Sequence, residues 1–333
     1  MKAVVLVGGF GTRLRPLTLT TPKQMLPVVH RTMIERVVAH LGRHGVDTAV
    51  LALGYRPDVF TAAYPDGHCA GVALHYAIEP QPRDTAGAIR FAALDAGIDE
   101  RFLVLNGDVL TDLDVSELVA THQRRGAEGT IALHRVQDPS AFGVVPTDVD
   151  GRVTAFIEKP SRGEAPTDLI NAGTYVLEPS VLDRIEPDRP VNVERVTFPE
   201  MVADGSLFAV DGNTYWIDAG TPSTYLAANL DLISGLRGAP EAAIHADATV
   251  DGTVDRSVVG SDAVVESGAT VSGSLLLPGA VVRAGAVVRD SIIGPRATVE
   301  EGAVVQDGSV IGDDVVVAAA ARVSGMRVPE EVG

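Results

Sequence analysis

The sequence predicts an α/β protein in which a doubly wound sheet fills the first two thirds and a left-handed parallel β-helix follows. Three observations carry this prediction. Apolar runs alternate with helical patterns from Met1 to about residue 235, the pattern of strands and helices wound into one sheet. The apolar run over residues 3–7 stops abruptly in Gly8-Gly9-Phe10-Gly11, as a buried strand does on entering a glycine loop. After about Pro240, aliphatic residues recur at every sixth position, a period that fits neither a helix nor simple strand alternation.

Taken in order, strands are expected over residues 3–7, 47–53, 72–78 and 102–105, with helices over 33–44 and 86–96 between them. This is a Rossmann-like arrangement, with the glycine loop at the carboxyl end of the sheet where such folds bind nucleotides. Segments 151–157 and 172–177 read as further strands, expected to form a smaller lid over those carboxyl ends. In the last third, Leu275, Val281, Val287, Ile293, Val299, Val305, Ile311, Val317 and Val323 hold the period of six. Small residues precede most of them by two positions: Gly273, Gly279, Gly285, Ser291, Ala297, Ala303 and Ser309. Val259, Val265 and Val271 keep the same period in a shifted register. This is the hexapeptide repeat of a β-helix, with one aliphatic per short strand pointing inward and small residues at the corners. At three hexads per coil it predicts roughly four to five coils, and a left-handed solenoid is an exception to the usual crossover rule. The expected domains are 1–238 and 241–326, and 333 residues fit two domains.

Composition narrows the function. An apolar fraction of 46% supports an ordinary globular core. A net charge of −17 argues against nucleic acid or an anionic membrane as partner. Any phosphate site is then a local basic patch in a repulsive field. Cys69 is the only cysteine, which excludes an intrachain disulfide and suits a reducing compartment. The apolar N-terminus is too short for a signal sequence, and no stretch approaches a membrane span. The cytoplasm is the expected location.

Arg13, Arg15 and Lys23 follow the glycines closely. Glycines let backbone N–H groups approach an anion, and basic side chains add charge, so the combination suits a polyphosphate. The spacing matches neither the dinucleotide-binding fingerprint nor a Walker loop. Two carboxylates also stand at strand ends. Asp108 follows the 102–105 strand in Asn106-Gly107-Asp108, which is also good turn sequence. Asp218 lies in Trp216-Ile217-Asp218-Ala219-Gly220-Thr221-Pro222, where Thr221 is the better cap for a helix starting near Pro222.

The joint run Gly8-Gly9-x-Gly11-Thr12-Arg13-Leu14-x-Pro16-Leu17-Thr18, followed by Pro22-Lys23, closely resembles the signature of the sugar-1-phosphate nucleotidyltransferases. The resemblance is nearest to the mannose-1-phosphate guanylyltransferases that end in a β-helix, and it covers nearly the whole chain. It implies attack by a sugar-1-phosphate oxygen on the α-phosphorus of a nucleoside triphosphate, expelling pyrophosphate. The nucleophile is already an anion, so the chemistry needs charge neutralisation and in-line positioning more than an acid or base. The resemblance places Leu6, Gly8, Gly9, Gly11, Thr12, Arg13, Lys23, Asn106 and Gly107 at the nucleotide. It makes Arg13, Lys23 and Asp108 catalytic, with Arg13 on the leaving pyrophosphate, and it puts Mg²⁺ on Asp108 and Asp218. One hard cation on two carboxylates plus phosphate oxygens is consistent chemistry for Mg²⁺. For the sugar phosphate it implies Gly143, Glu158, Lys159, Asn171 and Gly173. Phe142 stands where the family often has tyrosine, so a contact through that hydroxyl is lost.

The base loop departs most from the family. Glu79-Pro80-Gln81-Pro82-Arg83-Asp84-Thr85-Ala86-Gly87 resembles guanylyltransferase loops, with Arg83-Asp84 where many have Leu-Gly. Guanine presents N1–H and a 2-amino group as adjacent donors. Glu79 or Asp84 is able to accept both, and Arg83 to meet the O6/N7 edge. Thr85, Ala86 and Gly87 offer backbone instead, and a surface turn with a local ion pair is the plain alternative. GTP and mannose 1-phosphate are thus the expected substrates. Another base, another hexose or a cyclitol phosphate remains open, as does a non-catalytic regulatory relative. A hexapeptide acyltransferase lacks its base, because the repeat region holds only His245, at its extreme start. The β-helix is expected to favour a homo-oligomer.

Overall fold

The computed structural model describes residues 1–329. Packing divides the chain into two compact units, Met1–Gly9 with Ile34–Trp216, and Phe10–Met33 with Ile217–Gly333. Composition alone draws a boundary near residue 240; packing also places the segment after the first glycines in the second unit.

The first unit is built on seven principal strands: β1 (Lys2–Leu6), β2 (Thr48–Leu53), β3 (Val72–Ile78), β4 (Phe102–Asn106), β5 (Gly129–Arg135), β6 (Leu169–Leu177) and β7 (Leu207–Asp211). Their spatial order is β3-β2-β1-β4-β6-β5-β7. The first four are mutually parallel. β6 runs antiparallel to both β4 and β5, and β7 is parallel to β5. Strands buried on both faces read as continuous apolar runs, and β2, Thr-Ala-Val-Leu-Ala-Leu, is buried from Ala49 onward. Helices α1 (Met33–Arg43), α2 (Asp84–Asp95) and α3 (Val115–Arg125) supply crossovers, and a short helix, Pro57–Ala63, lies in the one from β2 to β3. Asp114 caps α3 by accepting from the Glu117 amide at 3.0 Å, and Gly126 ends it at φ 59°.

Two expectations change here. Residues 172–177 belong to β6 in the central sheet and form no separate lid. The run is apolar on both faces because both are covered. Residues 151–157 do not make one strand. Only Ile157–Glu158 forms a ladder, with Gly143–Val144, while Arg152 and Val153 make isolated bridges. Gly151 at φ 78° closes the tight turn that precedes the run, and the ladder lapses over residues 154–156.

In the second unit, three parallel sheets of five strands each stack into a three-sided β-helix of five coils. The hexad register needs one correction. Val258 pairs with Leu275 and Leu275 with Ile292, whereas three full hexads would set Val258 opposite Leu276. The inward track is Val259, Val265, Val271, Leu276, Val282, Val288, Ile293, Val299, Val305, Ile311 and Val317, all 5% exposed or less. Its step contracts by one residue at Leu276 and again at Ile293, so Val259, Val265 and Val271 and the residues from Ile293 onward belong to one track, while Leu275, Val281 and Val287, expected to point inward, are replaced on it by Leu276, Val282 and Val288. Ala263, Ala269, Ala280, Ala286, Ala297 and Ala303 pack beside it. At the contracted corners serine replaces alanine. The Ser257 hydroxyl oxygen accepts from the Ser274 amide at 3.0 Å, and that of Ser274 from the Ser291 amide at 3.1 Å. Among the described residues no helix is long and apolar enough to cross a membrane.

Candidate active site

In the first unit β1 lies between β2 and β4, where the strand order reverses, the place at which open α/β sheets bind ligands. Leu6 and Asn106 are paired across β1 and β4, and the Gly107 amide donates to the Leu6 carbonyl at 3.0 Å. The Asn106-Gly107-Asp108 turn therefore lies beside the start of the glycine loop. A Cβ on Gly8 would come within 3.4 Å of Glu79 Oε1, so Glu79 faces this loop across the sheet end. Burial pushes its carboxyl up.

The rest of the base loop is tied to residues 188–193. Asp84 Oδ1 accepts from the Thr85 amide at 2.7 Å and from Asn192 Nδ2 at 3.1 Å. The Thr85 hydroxyl oxygen accepts from the Val193 amide at 2.9 Å, while the Ala86 and Gly87 amides both donate to the Val191 carbonyl. The Arg83 guanidinium stacks 5.1 Å over the Phe91 ring and lies 3.4 Å from Asp188. Arg83 and Asp84 thus brace the loop, and Glu79, whose Oε2 accepts from the Arg83 amide at 3.1 Å, keeps Oε1 beside Gly8.

The expected sugar-phosphate residues converge around β6. Gly143 pairs with Glu158, and Val144 with Ile170 beside Asn171. A Cβ on Gly143 would meet Phe156 at 2.7 Å and Glu158 Oε2 at 3.2 Å, and one on Gly173 would meet Asn106 Nδ2 at 2.5 Å. Both positions require glycine for close approach. Lys159 is exposed, with Nζ 3.4 Å from Glu158 Oε1.

Glu194 is a residue of this cluster that sequence reasoning missed. It sits in a single π-helical turn, Val193–Thr197, capped by Asn192, and such turns often mark functional sites. Asn171 Nδ2 donates to Glu194 Oε1 at 2.6 Å and to the Tyr175 hydroxyl at 2.9 Å, while Asn171 Oδ1 accepts from the Gly173 amide. Glu158 is close enough for its charge to act on Glu194, and its Oε2 is buried without a hydrogen-bond partner. Burial, then repulsion from Glu158, pushes the Glu194 carboxyl up. The available signal was Asn192 two residues before a lone acid, an N-cap pattern. His134 was also missed; it stacks on Trp216 at 5.1 Å, and Trp216 Nε1 donates to the Ala172 carbonyl at 2.9 Å.

Because its native pKa exceeds its unfolded one, Glu194 contributes stability that is present below the ordinary value of 4.5. That contribution is lost as pH rises through the raised value. Glu194→Gln is therefore expected to gain on the wild type in urea midpoint as pH rises above 4.5. A midpoint difference that stays constant with pH would count against the close carboxyl pair.

In the second unit, Gly11 has φ 64°, and its Cβ position lies 3.1 Å from Thr18 and 3.3 Å from Lys23. The Thr18 hydroxyl donates to the Gly11 carbonyl at 2.8 Å. Thr12 and Arg13 enter an exposed short helical turn, Thr12–Leu14, anchored by buried Leu14. Arg13 Nη2 lies 3.5 Å from Asp218 Oδ2, with the two side chains 60% and 26% exposed. Asp218 Oδ1 accepts from the Gly220 amide at 2.8 Å. Thr221 caps α4 (Pro222–Ser234) through a reciprocal bond with Thr224, so capping does not account for Asp218.

Residues 2–235 match the nucleotidyl transferase family. The chain belongs to that family. Residues 237–331 match the GMPPB C-terminal domain. A mannose-1-phosphate guanylyltransferase of Mycobacterium tuberculosis is 40% identical over 283 residues, covering 81% of this chain and 78% of its own. The mannose-1-phosphate guanyltransferase of Schizosaccharomyces pombe is 41% identical, covering 76% and 70%. That of Emericella nidulans is 44% identical, covering 68% of this chain and 62% of its own, so the chain spans under two thirds of that relative. A solved structure titled HddC from Yersinia pseudotuberculosis aligns over 68% of this chain and 97% of its own, with TM-score 0.60 and 28% identity. Nucleotidyltransferases of this kind act on a nucleoside triphosphate and a sugar 1-phosphate, generally with a divalent metal.

Proposed function

We propose that the protein transfers the guanylyl group of GTP to mannose 1-phosphate, releasing pyrophosphate and forming GDP-mannose. The observation that carries this reading is identity of 40–44% to enzymes named for that reaction in a chain that keeps Arg13, Lys23, Asp108, Lys159 and Asp218.

Among the described residues, no group of three or more acidic, histidine or cysteine side chains could hold a metal ion. A cation would then find few protein ligands and draw most of its shell from phosphate oxygens and water, which fits Mg²⁺ better than zinc. In our reading Asp108 and Asp218 hold it. When bound, it would neutralise triphosphate charge as a Lewis acid.

The chain's own residues do the rest. The exposed backbone of Gly9 and Thr12 receives the phosphates. Arg13 and Lys23 meet the charge that grows on pyrophosphate as the bond from α-phosphorus to the bridging oxygen breaks. Lys159 holds the sugar phosphate, whose oxygen forms the new bond to that phosphorus. Glu158, Asn171 and the Gly173 backbone orient the sugar hydroxyls, with Glu194 behind Asn171. Glu79 accepts the guanine donors. Cys69 is buried and its thiol pushed up to about 11, which keeps it unreactive; a lone free cysteine suits the cytoplasm.

The decisive assay is pyrophosphate release from GTP and Mg²⁺ with a panel of sugar 1-phosphates. Release with mannose 1-phosphate and no release without it supports the reading. Faster release with a different sugar would overturn the mannose assignment.

The β-helix is, in our reading, also an assembly module. Val316 and Met326 near its end are 62% and 41% exposed. Deleting residues 241–333 is expected to cause aggregation or a changed oligomer in light scattering, since it uncovers apolar surface. A truncated protein of unchanged oligomeric state and full activity contradicts this.

A further inference from the structure

The segment Phe10–Met33 carries Gly11, Thr12, Arg13 and Lys23, yet it packs as one compact unit with Ile217–Gly333. It is pinned there at two places. Near its C-terminal end, the Val29 amide donates to Asn229 Oδ1 at 2.6 Å, the Tyr225 hydroxyl donates to the Pro27 carbonyl at 2.5 Å, and His30 Nε2 bonds the Ala242 carbonyl at 2.8 Å. Nearer the glycines, the segment rests on the β-helix itself. The Thr20 hydroxyl donates to Asp313 Oδ2 at 2.8 Å. A Cβ on Gly312 would lie 3.1 Å from the Pro16 side chain, so a side chain there would push Pro16 away.

We propose that the β-helix is part of the scaffold of the nucleotide site, with Asp313 as a positioning residue that holds the phosphate loop through Thr20. The proposal rests on the reading of that loop as the GTP-phosphate site. Asp313 occupies the corner between the strands Val310–Ile311 and Val316–Val317. Its second carboxylate oxygen is buried without a hydrogen-bond partner, and burial pushes the carboxyl up. Burying a carboxylate is costly, and a coil corner needing only solubility would turn it outward. The line of contact from the corner to the chemistry is short. Thr20 is two residues from Thr18, whose hydroxyl holds the Gly11 carbonyl. Gly11 in turn packs against Lys23 and leads into Arg13. Displacement of a binding loop by an ångström is enough to cost orders of magnitude in rate.

The test uses the full chain with Asp313→Ala, Asp313→Asn and Thr20→Val. Asp313→Ala and Thr20→Val are expected to raise the KM for GTP about ten-fold and lower kcat, with the KM for mannose 1-phosphate unchanged, as expected for misplaced phosphate contacts. Asp313→Asn keeps an oxygen for the Thr20 hydroxyl and is expected to restore most of the GTP affinity. A second readout needs no turnover: trypsin cleavage after Arg13 or Lys23 is expected to quicken several-fold in Asp313→Ala and Thr20→Val. A wild-type protein inactive with GTP would refute the guanylyl reading while leaving the cleavage comparison standing. Wild-type cleavage rate and wild-type GTP KM in both Thr20→Val and Asp313→Ala would overturn the proposal, as would equal rises in both KM values.

Discussion

Asp108→Ala is expected to lower kcat by about three orders of magnitude or more and to leave the fold intact. Asp108 follows β4 in a turn and is only partly buried, so its loss removes little packing. What it removes is charge control at the transferring phosphorus. A metal contribution of several kcal/mol corresponds to about a thousand-fold in rate. Excess chelator is expected to mimic the substitution in the wild type. Full activity in chelator, or an Asp108→Ala variant within ten-fold of the wild type, would show that no cation held by this aspartate takes part.

Arg13→Ala is expected to lower kcat by about 10²–10³-fold, the cost of one donor aimed at developing charge. Its guanidinium is mostly exposed and its ion pair with Asp218 is a loose 3.5 Å. Little native stability is tied up in that pair. Charge builds on pyrophosphate only as the bond breaks, so kcat should fall more than GTP binding weakens. Lys159→Ala is expected to act the other way, mainly on the KM for mannose 1-phosphate. An Arg13→Ala protein whose only change is in mannose 1-phosphate KM would mean that the loop serves the sugar instead.

What could be read from sequence follows how local each feature is. Gly8, Asn106 and Asp108 were legible because strand, turn and carboxylate are neighbours in sequence, and the topology then sets Leu6 beside Asn106. Thr221 as a cap was legible for the same reason. Glu158 and Asn171 were found through a family motif, but Glu194 was not. It meets Asn171 across 23 residues, and nothing in its local sequence announces the pairing. Arg83 looked available to a base because its partners are Phe91, two turns along the helix it precedes, and Asp188, far off in sequence. In the β-helix the period of six was plain, whereas its one-residue contractions were not. They fall at Ser274 and Ser291, whose amides donate to serine hydroxyls of the preceding coil, and a valine-rich run offers an aliphatic side chain in either register. The bond from Thr20 to Asp313 spans 293 residues and lies beyond any reading of local pattern.

Guanylyl transfer is the central claim, and base competition tests it most directly. GTP, ATP, UTP and dTTP are offered together at equal concentration with mannose 1-phosphate and Mg²⁺, and the sugar nucleotides formed are resolved by mass. Glu79 faces the glycine loop from a half-buried position, and a site built to satisfy the guanine donors rejects bases that leave it unpaired by a large factor. The account predicts GDP-mannose as the dominant product, with Glu79→Gln eroding the preference. A product mixture led by any other base would contradict it.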